Sequence, residues 1–289
     1  MKECKLYKLE RDGKTVRCLA CNHKCLIRDG DTGTCGVRKN INGKLMLLVY
    51  GTVASMGIDP IEKKPLYHFL PGTKAFSIGT VGCNFRCEGC QNYDISQASK
   101  SEQRKILGEE TTPEEIVKDA ISTGCKSIAY TYNEPGIWIE FVKDIAELSH
   151  KKGLKNILVT NGYFSKESFD FIKDYIDAVN IDLKGSDKYY QKFCGAKLKP
   201  VLETIKRFNK KRIHVEITTL IIPGENDSER DLKDIAKFIA SIDKNIPWHI
   251  SRFFPMYKMK DKEITSKEIL KKAYKIGKKY LNDVHLGNI

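Results

Sequence analysis

The sequence predicts an α/β protein, a partial TIM-like barrel fronted by a small cysteine-rich module, and three observations carry the prediction. From Lys74 onward, short β-favouring runs alternate with amphipathic helical stretches. Repeated βα units of this kind imply a parallel sheet, and right-handed crossovers curl such a sheet into a barrel or part of one. The runs end in polar groups, T-Y-N-E-P, T-N-G-Y, D-L-K-G, T-T-L-I-I-P-G-E-N-D and S-R-F-F-P-M-Y, at the strand ends where parallel barrels place their chemistry. Residues up to about Leu70 form a distinct piece with four closely spaced cysteines.

A chain of 289 residues has room for one sizeable domain and a small module. The expected division is residues 1–70, the cysteine-rich module and its connecting loop, and 71–289, the barrel. Lys and Arg outnumber Asp and Glu by 50 to 37, a net charge of +13, which favours anionic partners in general. The excess is mostly Lys spread over helical stretches such as D-L-K-D-I-A-K, where it forms solvated faces. No Arg-Gly or aromatic-interleaved basic run accompanies it, so nucleic acid is not an expected partner. Ten cysteines without a secretory signal point to a reducing compartment and metal binding. The opening M-K-E-C-K-L-Y-K-L-E lacks an apolar h-region. The longest apolar-rich run, L-M-L-L-V-Y-G-T-V-A, falls well short of the ~20 residues of a membrane span. The expectation is a soluble, cytoplasmic protein with no membrane partner.

Taken in order, Cys18, Cys21, Cys25 and Cys35 stand in C-x2-C-x3-C-x9-C, with Gly30, Gly33 and Gly36 around the last of them. Four thiolates are a full set for tetrahedral zinc or for an iron–sulfur cluster. Cys4 has no evident partner. K-L-M-L-L-V-Y-G-T-V-A reads as a strand. The prolines of I-D-P-I-E-K-K-P-L-Y-H-F-L-P-G forbid a long helix and predict an ordered loop. His68 in that loop reads either as a surface or hydrogen-bonding residue or as one facing the active site.

Next comes F-S-I-G-T-V-G-C-N-F-R-C-E-G-C-Q-N, with Cys83, Cys87 and Cys90 in C-x3-C-x2-C. An odd number of close thiols cannot be a disulfide set. Thiolates suit zinc and iron–sulfur clusters, but structural zinc wants a fourth ligand from the chain. A cubane held by three cysteines leaves one iron free to bind a small molecule.

Thr112, Pro113 and Glu115 spell an N-cap, a proline at the first helical turn and a capping-box carboxylate, and Gly124 stops that helix. Further strands are expected at S-I-A-Y-T-Y, N-I-L-V-T-N, A-V-N-I-D-L, I-H-V-E-I-T-T-L-I-I and P-W-H-I-S-R-F-F-P. Helices are expected over W-I-E-F-V-K-D-I-A-E-L and at about Ser165 to Tyr175, Pro200 to Phe208 and Asp227 to Ile242. Thr265 with Glu268 is expected to cap a last basic helix. Asp182 and Lys184, two apart, share one face. Glu216, Thr218 and Arg252 are barrel-facing candidates, and His249, at odd spacing from Arg252, is expected on the other side. Cys125 and Cys194 read as small buried thiols, Cys194 near the barrel mouth.

The C-x3-C-x2-C array after the first barrel strand resembles the signature of the radical S-adenosylmethionine (SAM) enzymes. The resemblance implies a (β/α)6 partial barrel with a [4Fe–4S] cluster on Cys83, Cys87 and Cys90. Its open iron would be chelated by the amino and carboxylate groups of SAM. Reductive cleavage would give a 5'-deoxyadenosyl radical that abstracts hydrogen from a substrate, with electrons from a donor such as ferredoxin or flavodoxin. The four-cysteine knuckle, I-D-P-I-E-K-K-P-L-Y-H-F, G-C-N-F-R-C-E-G-C-Q-N, Y-T-Y-N-E-P, T-N-G-Y and N-I-D-L-K-G are similar to a subgroup that includes the activases of glycyl-radical enzymes. Nearest in pattern is the radical SAM enzyme of the AmmeMemoRadiSam system, whose associates are Memo-like and AMMECR-type proteins.

In such relatives a Gly-Gly-Glu segment binds the SAM amino group. Tyr132, Asn133 and Glu134 fill that place here without the glycines. The resemblance further implies Asp182 and Lys184 touching SAM; from the residues themselves, Asn161 is expected on the ribose or carboxylate, Lys184 suits fixing an anion or delivering a proton, and Thr218 and Arg252 are candidates for the cofactor site. Gly89 departs from the family's aromatic residue, leaving Phe85 or Tyr93 to cover the adenine. Longer relatives continue past H-L-G-N-I into another cysteine pair. Two rival readings stand beside this one: an activase acting on a protein backbone, and a non-catalytic metal- or RNA-binding protein with zinc at both arrays.

Overall fold

A computed structural model of the chain describes residues 1–101 and 105–289. Its main sheet has eight strands in chain order. The first, β1 (Ser55–Pro60), runs antiparallel to β2 (Lys74–Gly79). All later neighbours are parallel: β3 (Ser127–Tyr130), β4 (Lys155–Thr160), β5 (Ala178–Asp182), β6 (His214–Ile221), β7 (Trp248–Arg252) and β8 (Val284–Gly287). The connecting helices are α1 (Pro113–Ser122), α2 (Ile139–Lys151), α3 (Lys166–Ile172), α4 (Leu198–Lys210), α5 (Glu229–Ile242) and α6 (Lys267–Gly277). This is the expected series of six βα units, plus a closing strand, β8, that the sequence reading did not anticipate. The barrel stays open because β1 and β8 are the edges of the sheet.

Local chemistry explains the elements. Every residue of β3 is buried, as befits a strand covered on both faces. Helix α4 buries Val201, Thr204, Ile205 and Phe208, the i, i+3, i+4, i+7 stripe of a helix lying on a sheet. The capping box of Thr112 and Glu115 forms as its spelling predicts. The cap of α6 shifts by one residue: Ser266, not Thr265, accepts the Ile269 N–H. Thr265 is already engaged, because its hydroxyl donates to the Ile221 carbonyl at 2.6 Å and accepts from the Phe253 N–H at 3.0 Å.

Before the barrel lie two small antiparallel sheets. Tyr7–Leu9, Val16–Cys18 and Leu26–Ile27 make one; Lys2–Glu3, Lys44–Leu47 and Arg38–Ile41 make the other. The expected long strand over 44–54 is broken after Leu47, with a bend at Gly51 (φ +78°), and resumes as Thr52–Val53 against Glu109–Glu110. The module is fixed to α2 by a buried bidentate pair: Arg38 Nη1 donates to Glu140 Oε1 at 3.1 Å, Nη2 to Oε2 at 2.5 Å, and Nε to the Ile137 carbonyl at 2.7 Å. Ser55–Pro60, on the module side of the expected division, is itself a strand of the barrel sheet.

The loop between β1 and β2 passes beneath the barrel. Asn180 Nδ2 donates to the Pro65 carbonyl at 2.7 Å, and the Tyr67 and His68 N–H groups donate to Glu216 at 3.1 and 2.9 Å. Ile61 and Leu66 pack there against Ala75, Ala129, Ile157 and Ala178. Alanines on three strands, β2, β3 and β5, leave the space this loop fills. The loop thus plugs the N-terminal end and leaves the C-terminal end open. No described helix is long and apolar enough to cross a membrane.

Candidate active site

A cavity of about 900 Å³ occupies the C-terminal half of the barrel, with Pro65 and Tyr67 at its floor. The loop after β2 delivers Cys83, Cys87 and Cys90 to its wall, all three free and half-buried. Cys83 Sγ accepts the Phe85 N–H at 3.4 Å, with Asn161 Nδ2 at 3.8 Å, and Cys90 Sγ lies 3.3 Å from the Ser96 hydroxyl. Burial pushes the thiols of Cys83 and Cys90 up. Cys87 is raised by its hydrogen bond to Cys194 and then by burial. Thiols held neutral in this way ionise when a cationic centre binds them. Cys194 is therefore a buried thiol beside the triad, where the sequence could place it only near the mouth.

Two loops brace the triad. The Asn133 amide makes four hydrogen bonds: Nδ2 donates to Thr80 Oγ1 and the Gly82 carbonyl, and Oδ1 accepts from Thr80 N–H and Trp138 Nε1. That is the full capacity of the amide, so Asn133 ties the cysteine loop to the end of β3. Asn92 Nδ2 donates to the Tyr132 carbonyl at 2.7 Å, and Tyr132 takes φ +68°. Glu134 is buried, accepting from Thr160 Oγ1 at 2.7 Å, Asn161 N–H at 2.8 Å and Gly136 N–H at 2.9 Å. Burial raises its carboxyl to about 7 despite these donors.

Asn161 Nδ2 donates to Asn84 Oδ1 at 2.7 Å. Lys184 Nζ donates to Asp182 Oδ2 at 2.7 Å, and both residues line the cavity. Burial alone would lower the Lys184 ammonium, but the Asp182 carboxylate beside it holds it well above the usual range. Thr218 also lines the cavity, its hydroxyl donating to Asn180 Oδ1 at 2.9 Å. Arg252 does not line it: Nε donates to the Thr265 carbonyl at 2.8 Å and the guanidinium covers Phe254. On β7 the inward residues are His249 and Ser251, so the expected facing of His249 and Arg252 is reversed. Glu216 points inward at the base of the barrel, bonded to His249 and His214 rather than reaching the triad.

The sequence reading passed over Asp59 and Lys64. Lys64, buried on the cavity wall, donates to Asp59 at 2.8 Å and sits 5.0 Å from the Tyr132 ring centre. Both lie in I-D-P-I-E-K-K-P, whose acid and base four and five apart were the available signal. Gly89 faces Met259, Phe253 and Ile222, whose atoms stand 3.1, 3.3 and 3.6 Å from the place of a Cβ. Phe85 is packed edge-on against Tyr163 and Tyr190, and Tyr93 stacks on Tyr257.

In the module, Cys18, Cys21 and Cys35 are buried and Cys25 half-buried, all free. Burial raises the first three. Cys4 is buried too, and burial raises its thiol. This array abuts the other one. Gly82, with φ +92°, lies so near Cys35 that a Cβ would stand 2.8 Å from its carbonyl oxygen. Among the described residues no three cysteine sulfurs lie within 4.8 Å of one another.

Fold and site together define an enzyme class: a parallel partial barrel whose first parallel strand leads into a cavity-facing triad of thiols. The radical SAM superfamily model matches residues 77–239. An uncharacterized protein of Methanocaldococcus jannaschii is 44% identical across 100% of this chain and 86% of its own. A second protein of that organism, provisionally named a glycyl-radical enzyme activating enzyme, is 28% identical over 84% of this chain and 96% of its own. Among solved structures, a radical SAM methyltransferase from Sphaerobacter thermophilus superposes with TM-score 0.59 at 13% identity, covering 97% of this chain and 75% of that one. Streptococcus suis SuiB bound to S-adenosylmethionine gives TM-score 0.55 at 13% identity over 72% of this chain and 48% of its own. Likenesses at such identity concern the fold. The chain belongs to the radical SAM superfamily and is an enzyme.

Proposed function

We propose that the protein cleaves SAM reductively at a [4Fe–4S] cluster on Cys83, Cys87 and Cys90 and uses the 5'-deoxyadenosyl radical to take hydrogen from a substrate. The observation that carries this reading is the set of three free thiols on one loop, facing a cavity of about 900 Å³. A tetrahedral ion with bonds of about 2.3 Å would hold thiolates roughly 3.8 Å apart. In the module, Cys18, Cys21, Cys25 and Cys35 offer four free thiols, the set for such an ion or for a second cluster. When bound, the barrel cluster supplies the electron that splits the sulfonium.

The chain's own groups have separate tasks. Asp182 and Lys184 present an acceptor and a cation to the charged end of SAM, with Asn161 beside them. Glu134 keeps little unused acceptor capacity and serves chiefly to fix Asn161, while Asn133 positions the cysteine loop. Leu220 and Ile222, which line the cavity, offer an apolar wall for the adenine in place of Phe85 or Tyr93, while Met259 and Phe253 are buried behind Gly89. Thr218 contributes a polar group deeper in the cavity, and the barrel wall excludes water from the radical.

A relative provisionally named a glycyl-radical enzyme activating enzyme favours a second form of this reading, in which the substrate is a protein backbone. The AmmeMemoRadiSam pattern adds Memo-like and AMMECR-type proteins as candidate partners, and a cytoplasmic ferredoxin or flavodoxin as electron donor. The deciding experiment is anaerobic reconstitution with iron and sulfide, reduction, and addition of SAM. Formation of 5'-deoxyadenosine by the wild type and its loss in Cys87→Ala is the expected result; nucleoside formation by that variant refutes it.

A further inference from the structure

Four of the six histidines of the chain gather at the N-terminal end of the barrel, opposite the thiol triad. His249 and His214 are bonded to Glu216 at 2.6 and 2.9 Å. The other two, His68 and His285, meet with their rings tilted by 53° and their Nε2 atoms 2.9 Å apart. A carboxylate oxygen of Asp283 completes a trio whose ligand atoms all lie within 4.8 Å of one another. Two imidazoles on a tetrahedral ion with Zn–N bonds of about 2.0–2.1 Å stand roughly 3.4 Å apart, so the pair needs to part by only about half an ångström.

We propose that His68, His285 and Asp283 form a divalent-metal site that clasps the open seam of the barrel. His68 belongs to the loop that follows β1, while His285 lies on β8 and Asp283 immediately precedes that strand. These are the two edges of the sheet, which share no backbone ladder. A metal held here joins them across the base of the barrel without touching the cavity chemistry.

The surroundings suit this role. The backbone N–H of His68 is anchored on Glu216, and the Tyr67 ring lies 4.9 Å from His285, which stacks in turn on His249. Two imidazoles and a carboxylate, partly open to solvent, fit a borderline divalent ion such as zinc and leave a position for water.

The test uses the cluster-loaded protein, its module array filled with whichever metal it takes, stripped of loose metal and titrated with Zn²⁺ by calorimetry. The expected result is one further zinc per chain, a thermal midpoint that climbs with zinc concentration, and an X-ray absorption signature of nitrogen and oxygen ligands without sulfur. His68→Asn and Asp283→Asn each weaken binding by more than about tenfold. His68 is exposed, so its replacement leaves the fold intact. Absence of the extra zinc in the wild type, or equal affinity in His68→Asn, overturns the proposal and leaves the histidine contact as a plain hydrogen bond.

Discussion

His249 Nε2 lies 2.6 Å from Glu216 Oε2 in the buried base of the barrel. The same carboxylate accepts from His214 Nε2 at 2.9 Å, Tyr67 N–H at 3.1 Å and His68 N–H at 2.9 Å. One side chain thereby joins β6, β7 and the loop beneath the barrel. Burial alone would raise its pKa, but His214, His249 and the His68 backbone together lower it to about 2.

Glu216 therefore stabilises the fold when ionised. Its folded pKa lies below the unfolded one, so the contribution is complete above about pH 4.5 and disappears as pH falls towards 2. The shift corresponds to about 3 kcal/mol at neutral pH. Glu216→Gln is expected to lower stability by that order at pH 7, and the deficit to narrow on acidification between those limits. Urea midpoints of the two proteins across that range check it; a pH-independent deficit counts against the ionic account.

The neighbourhood of Glu216 also shows what the sequence could convey. Period-two alternation correctly set His249 and Arg252 on opposite faces, but not which face was inward. The pairing of His249 with Thr218 across β6 and β7 decides that, and such register is a long-range property. The βα alternation and the capping box at Thr112 were legible because they rest on local spacing. Strand β8 was not, since the alternation of V-H-L-G spans only four residues. The floor loop was legible as a loop only; the bonds of Pro65, Tyr67 and His68 reach across more than a hundred residues. The cysteine triad was the clearest signal, because ligand spacing within one loop survives without knowledge of the rest.

Arg38 and Glu140, both almost wholly buried, hold the module on α2. Removing one partner leaves the other charge without compensation in a dry site, at a cost of about 3–5 kcal/mol. Glu140→Ala is expected to show that loss. A paired Arg38→Met, Glu140→Leu variant should recover much of it, since no charge is then stranded. Thermal midpoints of the three proteins decide the matter; a double variant as weak as the single would mean that shape, not charge, is what matters there.

Lys184 lies against Asp182 and near Cys87. Lys184→Met keeps the length of the side chain and removes the cation. The proposed role at the charged end of SAM predicts a loss of 5'-deoxyadenosine formation on the order of 10- to 100-fold, with iron content unchanged. Cys87→Ala should lose iron as well as activity. If Lys184→Met also loses iron in proportion to activity, the lysine supports the triad and not the cofactor.

Gly82 couples the two cysteine arrays, and this can be measured separately from backbone strain. Its φ of +92° disfavours any side chain, and an added Cβ would stand 2.7 Å from Val37 Cγ1, 2.8 Å from the Cys35 carbonyl and 2.9 Å from Ser99 Oγ. Gly72 offers the matching control, with φ +78° and nothing within 4 Å of its would-be Cβ. Gly72→Ala should therefore cost only the conformational term, roughly 1 kcal/mol. Gly82→Ala adds a collision with backbone that cannot turn aside, and is expected to cost about 2 kcal/mol more. The strain must move either Cys83 or Cys35, so iron per chain after reconstitution should fall in Gly82→Ala and stay level in Gly72→Ala. Equal stability and iron content in the two variants would show that the arrays tolerate separation and that their contact has no bearing on either metal site.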